Sequence, residues 1–271
     1  MSLLIWNEST RDEIRAVIAD AVVVLPTGAT EQHGPHLVTG HDTFAVGEIA
    51  RRAAARAAER TDVILAPALP FGSSDHHLPF GGTLSLATET YGQVIRDLVR
   101  SMIAGGARRV FLLNGHGGNR ELNQLVARDV AREQPLDKRV AIAAASYWEI
   151  ADAALAAAPE FASVRRPGHA GLFETATMLA MDPRQVREPR PVRPTDTSAV
   201  PVIPGTRIEM TGMWQRHDGW TDHPARATAT QGERALATIV DAVTAALIDL
   251  AAYPLESRPG EGRPVASPAW G

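Results

Sequence analysis

Residues 22 to 44 read Val-Val-Val-Leu-Pro-Thr-Gly-Ala-Thr-Glu-Gln-His-Gly-Pro-His-Leu-Val-Thr-Gly-His-Asp-Thr-Phe. The apolar run Val22 to Leu25 predicts a buried strand, which Pro26 and Gly28 close. Carboxylate and imidazole side chains follow directly after this strand. Because parallel sheets bind ligands beyond the carboxyl ends of their strands, the stretch predicts a metal site at that edge of a sheet.

Three side chains of this stretch, Glu31, His33 and Asp42, are candidate metal ligands. Glu31 and His33 are two residues apart, so an extended chain projects them to the same side. Carboxylate oxygen combined with neutral imidazole suits Zn, Mn or Fe, whereas Ca and Mg sites use oxygen almost alone. No H-E-x-x-H signature is present, so a solvated Gly-rich loop stays open as the alternative on this stretch alone. His36 and His41 are interpreted as pocket or structural residues.

A second candidate element is the run Asn-Gly-His-Gly-Gly-Asn at 114 to 119, which follows a predicted strand. It places His116 at the sheet edge from which the first loop emerges. Gly117 and Gly118 let the backbone approach a ligand, and the N–H groups ahead of the next helix can hold a negative oxygen. A turn that needs only its glycines is the alternative, but it leaves His116 unexplained. The phosphate-loop patterns are not present.

A third element is Gly-His-Ala-Gly at 168 to 171, followed by Glu174. Glu174 stands in the first turn of a predicted helix, where the macrodipole favours a carboxylate without any function. By itself, His169 is more often a turn or core histidine than a catalyst. There is no G-x-S-x-G elbow and no Cys, so a covalent Ser or Cys mechanism has little support.

The rest of the chain alternates apolar runs with amphipathic segments. Strands are predicted at 22–25, 63–69, 109–113 and 140–147, and helices at 11–20, 44–60, from the N-cap Thr88 to Gly105, at 119–134 and 172–181, and from a capping box of Thr230 and Glu233 to Leu250. The residues before Arg11 are a short polar start. Continuous apolar strands have no wet side, so an α/β fold with a mainly parallel sheet covered on both faces is predicted.

The whole chain, 1 to 271, is predicted to form one domain without internal repeats. The Ala-rich segment 151 to 163 is a weak helix or a mobile lid. Residues from about 182 to 224 form an extended Pro- and Arg-rich excursion, over the site or against a neighbouring subunit. The Pro- and Gly-rich residues from about 254 form a surface strap.

Composition limits the class of protein. Charge is nearly balanced, with 27 basic and 31 acidic residues and a net charge of −4, so nothing favours nucleic acid or an anionic membrane as partner. The chain has no Cys, which leaves His, Asp and Glu as its strong metal ligands. No basic leader precedes an apolar core, and no run approaches a membrane span of roughly 20 apolar residues. We therefore expect a cytoplasmic enzyme with a small-molecule partner.

Four ordered motifs resemble the creatininase family of metal-dependent amidohydrolases. They are Leu-Pro-Thr-Gly-Ala-Thr-Glu-Gln-His-Gly-Pro-His at 25 to 36, Asp42, Asn-Gly-His-Gly-Gly-Asn at 114 to 119, and Gly-His-Ala-Gly-x-x-Glu-Thr at 168 to 175. The resemblance runs from about Val22 to Ala180. It implies a three-layer α/β/α fold, a homo-oligomer that is usually a homohexamer, and two divalent metal ions per subunit, Zn or Mn, with Fe as a further candidate.

The resemblance also implies roles for particular residues. The implied metal ligands are Glu31, His33, Asp42, His116 and Glu174, with Asp42 bridging. Creatininases proper have a Glu where Gly118 stands here, so Glu174 supplies the remaining carboxylate and the departure argues against creatinine itself as substrate. His76 stands where many relatives have Glu, next to His77, a predicted substrate-binding residue. Trp148, in a Ser-Tyr-Trp run like that of creatininase, is a candidate pocket wall, with a simple core Trp as the alternative.

Together these features predict a binuclear metal-dependent amidohydrolase that uses a metal-activated water on a small amide, cyclic amide or formamide. His169 is predicted to move a proton to the leaving nitrogen, and the N–H groups near Gly117 and Gly118 to contact the substrate. The alternatives are a deformylase or a peptide-trimming metallopeptidase of the same family, a metal-dependent isomerase or lyase of a small sugar or keto acid, and a non-catalytic scaffold.

Overall fold

Five strands form one sheet in the computed structural model, which describes residues 1–162, 164, 166–192 and 208–255. They are β1 (Leu3–Ile5), β2 (Val22–Thr27), β3 (Val63–Leu65), β4 (Arg109–Asn114) and β5 (Ala141–Ser146). The order across the sheet is β1-β3-β2-β4-β5, and each neighbouring pair is parallel. The predicted parallel sheet is confirmed. Strand β1 was missed, because three apolar residues are too few to show a strand period.

Helices cover both faces of this sheet. Those of the described residues are α1 (Arg11–Val17), α2 (His41–Ala57), α3 (Thr88–Ala104), α4 (Arg120–Glu133), α5 (Tyr147–Ile150), α6 (Asp152–Ala157), α7 (Leu172–Met181), α8 (Met213–Arg216) and α9 (Ala229–Ala252). Helices α2, α7 and α9 pack in one core and α1, α3 and α4 in another. The predicted three-layer α/β/α fold is therefore confirmed.

Strand β2 links the two cores. Because successive side chains of a strand point to opposite faces, Val22 and Val24 lie in the core with α2, and Val23 and Leu25 lie in the core with α1. All four are buried. Each such side chain stabilises the fold by about 1.5 to 3 kcal/mol, so the apolar run holds both layers to the sheet.

The strand order places two loops side by side. After β2 the chain crosses to β3 on one side, and it later returns to β4 on the other side of β2. Thr27 at the end of β2 is in register with Asn114 at the end of β4. Open α/β sheets bind ligands at such a switch point. The loop after Thr27 and the turn after Asn114 therefore meet at one edge.

Two helix starts differ from the prediction. Helix α2 begins at His41 instead of near Phe44, so Asp42 lies in its first turn. The N-cap of α3 is Ala87 instead of Thr88, and no side chain caps that end. Tertiary packing decides helix ends that local sequence leaves open by a few residues.

The capping box of α9 also lies elsewhere than predicted. Thr228 and Gln231 form it, not Thr230 and Glu233. The N–H of Thr228 donates to Oε1 of Gln231 at 2.9 Å, and the N–H of Gln231 donates to Oγ1 of Thr228 at 3.2 Å. Both pairs match the S/T-x-x-E/Q pattern, and the chain uses the earlier one.

Helix α9 is, within the described residues, the one helix long and apolar enough to cross a membrane, with a mean hydropathy of 1.8. The prediction that no run approaches such a span does not hold for α9 on length and composition. Its side chains Leu236, Ile239, Val243 and Leu247 are buried in the core that also contains α2 and α7. Core helices of this kind pass the same compositional test. That the protein has no membrane partner stays a prediction.

Three predicted segments are described only in part. The weak helix predicted at 151–163 is present as α6, and its role as a lid stays a prediction. Helix α8 belongs to the predicted excursion at 182–224, of which 193–207 lie outside the described residues. The predicted strap from about 254 lies almost wholly outside them. The single-domain interpretation of 1–271 stays a prediction.

Candidate metal centre

Asp42 joins two groups of buried side chains at the carboxyl edge of the sheet. It lies in the first turn of α2 and is 3 % exposed. Its Oδ2 is 2.9 Å from Nδ1 of His116, and its Oδ1 is 3.0 Å from Nε2 of His33. His116 follows β4 and His33 follows β2, so the paired ends of these strands bring both histidines to one carboxylate.

The first ligand group consists of Glu31, Asp42 and His116, whose ligand atoms all lie within 4.8 Å of one another. Nδ1 of His116 is 3.2 Å from Oε1 of Glu31. Nε2 of the same ring donates to the carbonyl oxygen of Ser73 at 3.0 Å. In the neutral ring this bond leaves Nδ1 unprotonated and facing the carboxylates, as in metal-binding histidines.

The second ligand group consists of His33, His41, Asp42 and Glu174, again within 4.8 Å, and it shares only Asp42 with the first. Nδ1 of His33 donates to the carbonyl oxygen of Glu31 at 3.2 Å. Its Nε2 lies 3.0 Å from Oδ1 of Asp42 and 3.8 Å from Oε2 of Glu174, and it has no hydrogen-bond partner among the described residues. A ring nitrogen and carboxylate oxygens gathered at such distances can serve as ligands of one cation.

Glu174 reaches the second group from the first turn of α7, as predicted. Its Oε2 accepts from the N–H of Ala170 at 2.5 Å. Ala170 has φ +49°, in the left-handed region that non-glycine residues rarely adopt and that is typical of functional sites. Burial raises the pKa of Glu174 to about 8; His33 opposes this rise and Asp42 adds to it.

Carboxylates and histidines shift one another's pKa in opposite directions here. Burial favours the neutral form of Glu31, but His116 lowers the pKa of that carboxyl, and His33 lowers the pKa of Asp42 in the same way. Burial likewise opposes a charge on His33, yet Asp42 raises the pKa of that ring to about 10. The histidines thus serve as the positive partners of the carboxylates, a part that a bound cation takes over.

The donor set fits a divalent metal ion. In the described chain, every ion-pair partner of Glu31, Asp42 and Glu174 is a histidine, not a Lys or Arg. Oε2 of Glu31 and Nε2 of His33 are buried without a hydrogen bond to any described residue. Buried charges need pairing or a metal, and mixed carboxylate and imidazole donors suit Zn, Mn or Fe. The five predicted ligands are thus brought together, and their ligand role stays a prediction.

Gln32 holds two further site histidines in place, and the sequence prediction missed it. Its Nε2 donates to the carbonyl of Gly219 at 2.8 Å and lies 2.8 Å from Nδ1 of His77. The backbone carbonyl oxygen of Gln32 accepts from Nε2 of His169 at 2.8 Å. This leaves Nδ1 of His169 facing Oε1 of Glu31 at 3.6 Å. Its position inside the ligand stretch was the available signal.

Aromatic rings wall the same region. The ring of His77 stacks on His169 with centroids 4.1 Å apart. Trp214 of α8 lies 4.7 Å from His77 and 5.1 Å from His169 by ring centroids. His76 lies parallel to His116 at 6.0 Å and also faces Trp214 at 5.8 Å. Trp214 was missed because it stands in a stretch without periodicity, and its contacts place this part of the excursion over the site.

Gly117 and Gly118 form a 3-10 turn directly after His116. A Cβ on Gly118 would lie 2.1 Å from the carbonyl oxygen of Ser73 and 2.6 Å from Nε2 of His116. A Cβ on Gly117 would meet nothing within 4 Å. Position 118 therefore has no room for a Glu side chain in this backbone, and that Glu174 supplies the carboxylate instead stays a prediction. The contact of the Gly117 and Gly118 N–H groups with substrate stays a prediction.

Among the residues that the structure describes, Trp148 makes no ring contact with these histidines. It is buried and packs edge to face on Tyr147, with centroids 5.0 Å apart. It also lines a cleft of about 490 Å³ whose other walls are charged, namely Arg120, Glu149, Asp152 and Arg166. Its predicted role as a substrate wall stays a prediction.

The fold and the cluster define an α/β/α protein with a buried carboxylate and imidazole cluster, suited to a metal ion, at the switch point of its sheet. A family profile for creatininase, described as creatinine amidohydrolase, matches residues 7–247. This chain belongs to the creatininase family, and it is a metal-dependent amidohydrolase acting on carbon–nitrogen bonds.

Individual relatives agree with this assignment. The mycofactocin precursor peptide peptidase of Mycobacterium tuberculosis CDC 1551 is 32 % identical over 228 residues, which cover 81 % of each chain. The creatinine amidohydrolase of Pseudomonas putida is 32 % identical over 194 residues, covering 66 % of this chain and 70 % of that protein. The solved Mn form of creatininase is 27 % identical with a TM-score of 0.73. A mutant creatininase of Zn-Zn type is 26 % identical with a TM-score of 0.72. Each match covers 92 % of this chain and 98 % of the other chain.

Proposed function

We propose that this chain is a binuclear amidohydrolase that cleaves the non-peptide C–N bond of a small amide, cyclic amide or formamide. The observation that carries the proposal is the pair of buried ligand groups that share Asp42. One oxygen of Asp42 faces His116 and the other faces His33. A carboxylate with one oxygen toward each group has the arrangement of a bridging ligand. The Mn and Zn-Zn forms of related creatininases support the same interpretation.

Two divalent ions, Zn, Mn or Fe, held by the two ligand groups would supply a water of lowered pKa and polarise the scissile carbonyl. The side chains that would hold them are Glu31, His33, Asp42, His116 and Glu174. No Ser or Cys nucleophile is then needed. The remaining work, which is orienting the substrate and moving protons, falls to the chain's own residues.

His169 is the proposed proton carrier. Burial and the nearby His33 lower its pKa, so the ring is neutral near pH 7 and able to accept a proton. Because Nε2 donates to the Gln32 carbonyl, Nδ1 is the basic atom, and it lies 3.6 Å from Oε1 of Glu31. A proton taken up at Nδ1 can be handed to the leaving nitrogen of the substrate.

Substrate contacts are proposed for His77, Trp148, Gly117 and Gly118. Nε2 of His77 is buried without a hydrogen-bond partner among the described residues, and it lies 3.8 Å from Oε1 of Glu31. It can therefore donate to a substrate oxygen held beside the ligand groups. Trp214 adds a planar apolar wall over His77, which suits a small planar amide.

A peptide-trimming metallopeptidase is the second candidate. The match to the mycofactocin precursor peptide peptidase extends over more of this chain than the match to creatinine amidohydrolase. Gly118 argues against creatinine as the substrate, because the crowded backbone there excludes the Glu of creatininases proper. An isomerase or lyase has less support, since the relatives named for this chain are hydrolases and peptidases.

A substrate panel with metal analysis tests the proposal. Wild type loaded with Zn or Mn is assayed on formamides, lactams, creatinine and short peptides in water enriched in heavy oxygen. We expect turnover of a small amide with solvent oxygen in the carboxylate product. Cleavage of peptides alone would transfer the function to the second candidate. A metal-free and fully active His116→Ala variant would overturn metal-dependent hydrolysis altogether.

Assembly and location are further parts of the proposal. On the family resemblance, the enzyme works in the cytoplasm as a homo-oligomer, a homohexamer, with a small-molecule substrate and without nucleic acid. Phe71, Leu78 and Leu84 are 40 %, 52 % and 57 % exposed, on a segment that also carries His76 and His77. These apolar side chains offer a contact surface for a second copy. Light scattering of the metal-loaded protein measures the assembly, and a monomer would overturn this part.

A further inference from the structure

His41 is a buried histidine without a role in the proposed mechanism. It is the first residue of α2 and is 0 % exposed. Neither ring nitrogen has a hydrogen-bond partner in the described part of the chain. Each buried polar atom left unpaired costs about 1 to 3 kcal/mol, so a ring with two such atoms calls for a further partner.

The ring lies against the second ligand group. One of its nitrogens is within 4.8 Å of ligand atoms of His33, Asp42 and Glu174. The ring centroids of His41 and His33 are also 4.8 Å apart, with the rings tilted by 44°. A tetrahedral ion with bonds of about 2.1 Å holds its donor atoms about 3.4 Å apart. Small side-chain rotations therefore suffice to bring all four donors to one ion.

We propose that His41 is a fourth protein ligand of the ion held by His33, Asp42 and Glu174. This inference rests on the proposed two-metal function. The second ligand group then offers two imidazole and two carboxylate donors, whereas the first ligand group offers three donors. Four protein donors close a tetrahedral site, and three leave a position for water or substrate. The second ligand group would accordingly hold its ion more tightly, and the first ligand group would leave a position open to substrate.

His36 shows what a buried histidine outside the ligand groups looks like. It is also 0 % exposed, but its Nε2 lies 2.9 Å from Oγ1 of Thr175 and is paired there, so that only its Nδ1 lacks a hydrogen-bond partner among the described residues. It belongs to neither ligand group. Substitutions of His36 therefore serve as matched controls for those of His41.

A thiol at position 41 gives a direct test, because the chain has no Cys of its own. We expect the Co²⁺-loaded His41→Cys protein to show an intense near-ultraviolet thiolate-to-cobalt absorption, since thiolate is a good ligand for this class of ion. Wild type cannot show this band. The Co²⁺-loaded His36→Cys control should bind cobalt without it.

Zinc binding provides the second measurement. Removing a group that only supports a ligand costs about 10- to 100-fold in metal affinity, so loss of a ligand should cost at least about 100-fold. We expect His41→Ala to lose that much affinity for one ion and to keep the other, as measured by competition with a chelator and elemental analysis. His36→Ala should keep both ions at wild-type affinity.

The outcomes separate this inference from the proposed function. Two cobalt ions bound by His41→Cys without a thiolate band overturn the ligand role and leave the two-metal function standing. Wild type that cannot hold two ions overturns both. If His41→Ala fails to fold, the presence or absence of the cobalt band in His41→Cys decides alone.

Discussion

Nε2 of His33 and Oδ1 of Asp42 form a buried ion pair at 3.0 Å. The other nitrogen of the ring donates to the Glu31 carbonyl at 3.2 Å, which fixes Nε2 toward the carboxylate. On its far side Asp42 meets Nδ1 of His116 at 2.9 Å. Asp42 thus stands between the two ligand groups, and a change at this residue reaches both.

Asp42→Asn should remove both ions, whereas Glu31→Gln should remove only the ion of the first ligand group. An amide keeps the size of the carboxylate but loses the charge that pairs with a cation. A divalent ion supplies several kcal/mol of transition-state stabilisation, so we expect kcat/KM to fall at least about 10³-fold in Asp42→Asn. Elemental analysis of both variants checks this. Asp42→Asn that retains two ions would contradict the bridging role.

Metal affinity should rise with pH. Burial raises the pKa of Glu174 to about 8, and Asp42 raises the pKa of His33 to about 10 against the effect of burial. Both groups therefore hold protons near pH 7, and an incoming ion must displace them. Between about pH 6 and about pH 8, each displaced proton should raise the affinity about tenfold per pH unit.

Calorimetry in two buffers of different ionisation enthalpy measures the protons released by that binding. Glu174→Gln is the matched variant, because it removes one of the ligand groups that hold a proton near pH 7. It should release fewer protons and show a shallower dependence of affinity on pH. Zinc binding to wild type without proton release near pH 7 would contradict the assignment.

His169→Ala should lower turnover without changing metal content. His169 meets the ligand groups through Nδ1, 3.6 Å from Glu31, while its Nε2 is committed to the Gln32 carbonyl. General acid–base catalysis contributes about 10²- to 10⁴-fold, so kcat should fall within that range. Loss of an ion together with activity would make His169 a ligand instead of a proton carrier.

Trp214→Ala should weaken substrate binding more than catalysis. The indole lies over His77 and His169. Among the residues that the structure describes, it makes no ring contact with a predicted metal ligand. An aromatic contact is worth about 0.5 to 1.5 kcal/mol, so KM should rise about 2- to 10-fold while kcat stays nearly constant. Trp214→Phe keeps a ring and should recover most of the affinity. Unchanged KM in Trp214→Ala would place the indole outside the substrate pocket.

Some parts of this site can be predicted from the sequence and others cannot. The difference lies in how far apart along the chain the residues are that determine each part. Val22 to Leu25 predicts its own strand, because four consecutive apolar side chains need burial on both faces. Glu31 and His33 could be singled out by chemistry and spacing. Their meeting with His116 and Glu174 was implied by the family resemblance, since strand order is decided by tertiary packing that no local pattern encodes.

The parts that sequence did not predict are those whose role exists only in the folded chain. Gln32 looks like an ordinary polar loop residue until Gly219 and His77 surround its amide. Trp214 stands in a segment without periodicity, so nothing local connects it to His169. His41 was interpreted as a pocket or structural residue, because its position beside the second ligand group depends on α2 beginning three residues earlier than the pattern predicts.

Two adjacent glycines should respond differently to the same substitution. A Cβ on Gly118 would lie 2.1 Å from the Ser73 carbonyl oxygen, which is backbone and cannot move aside, whereas one on Gly117 would meet nothing within 4 Å. Overpacking of this kind costs about 1 to 3 kcal/mol, so Gly118→Ala should lower the free energy of unfolding by that amount. Gly117→Ala should stay within about 0.5 kcal/mol of wild type, as an unhindered substitution does.

Because Ser73 also accepts from His116, Gly118→Ala should weaken zinc binding in the first ligand group as well. Denaturant unfolding of the chelator-treated proteins measures the first effect and zinc titration the second. Equal stability of the two variants would show that the turn relaxes freely, and crowding would then not explain why position 118 carries no Glu.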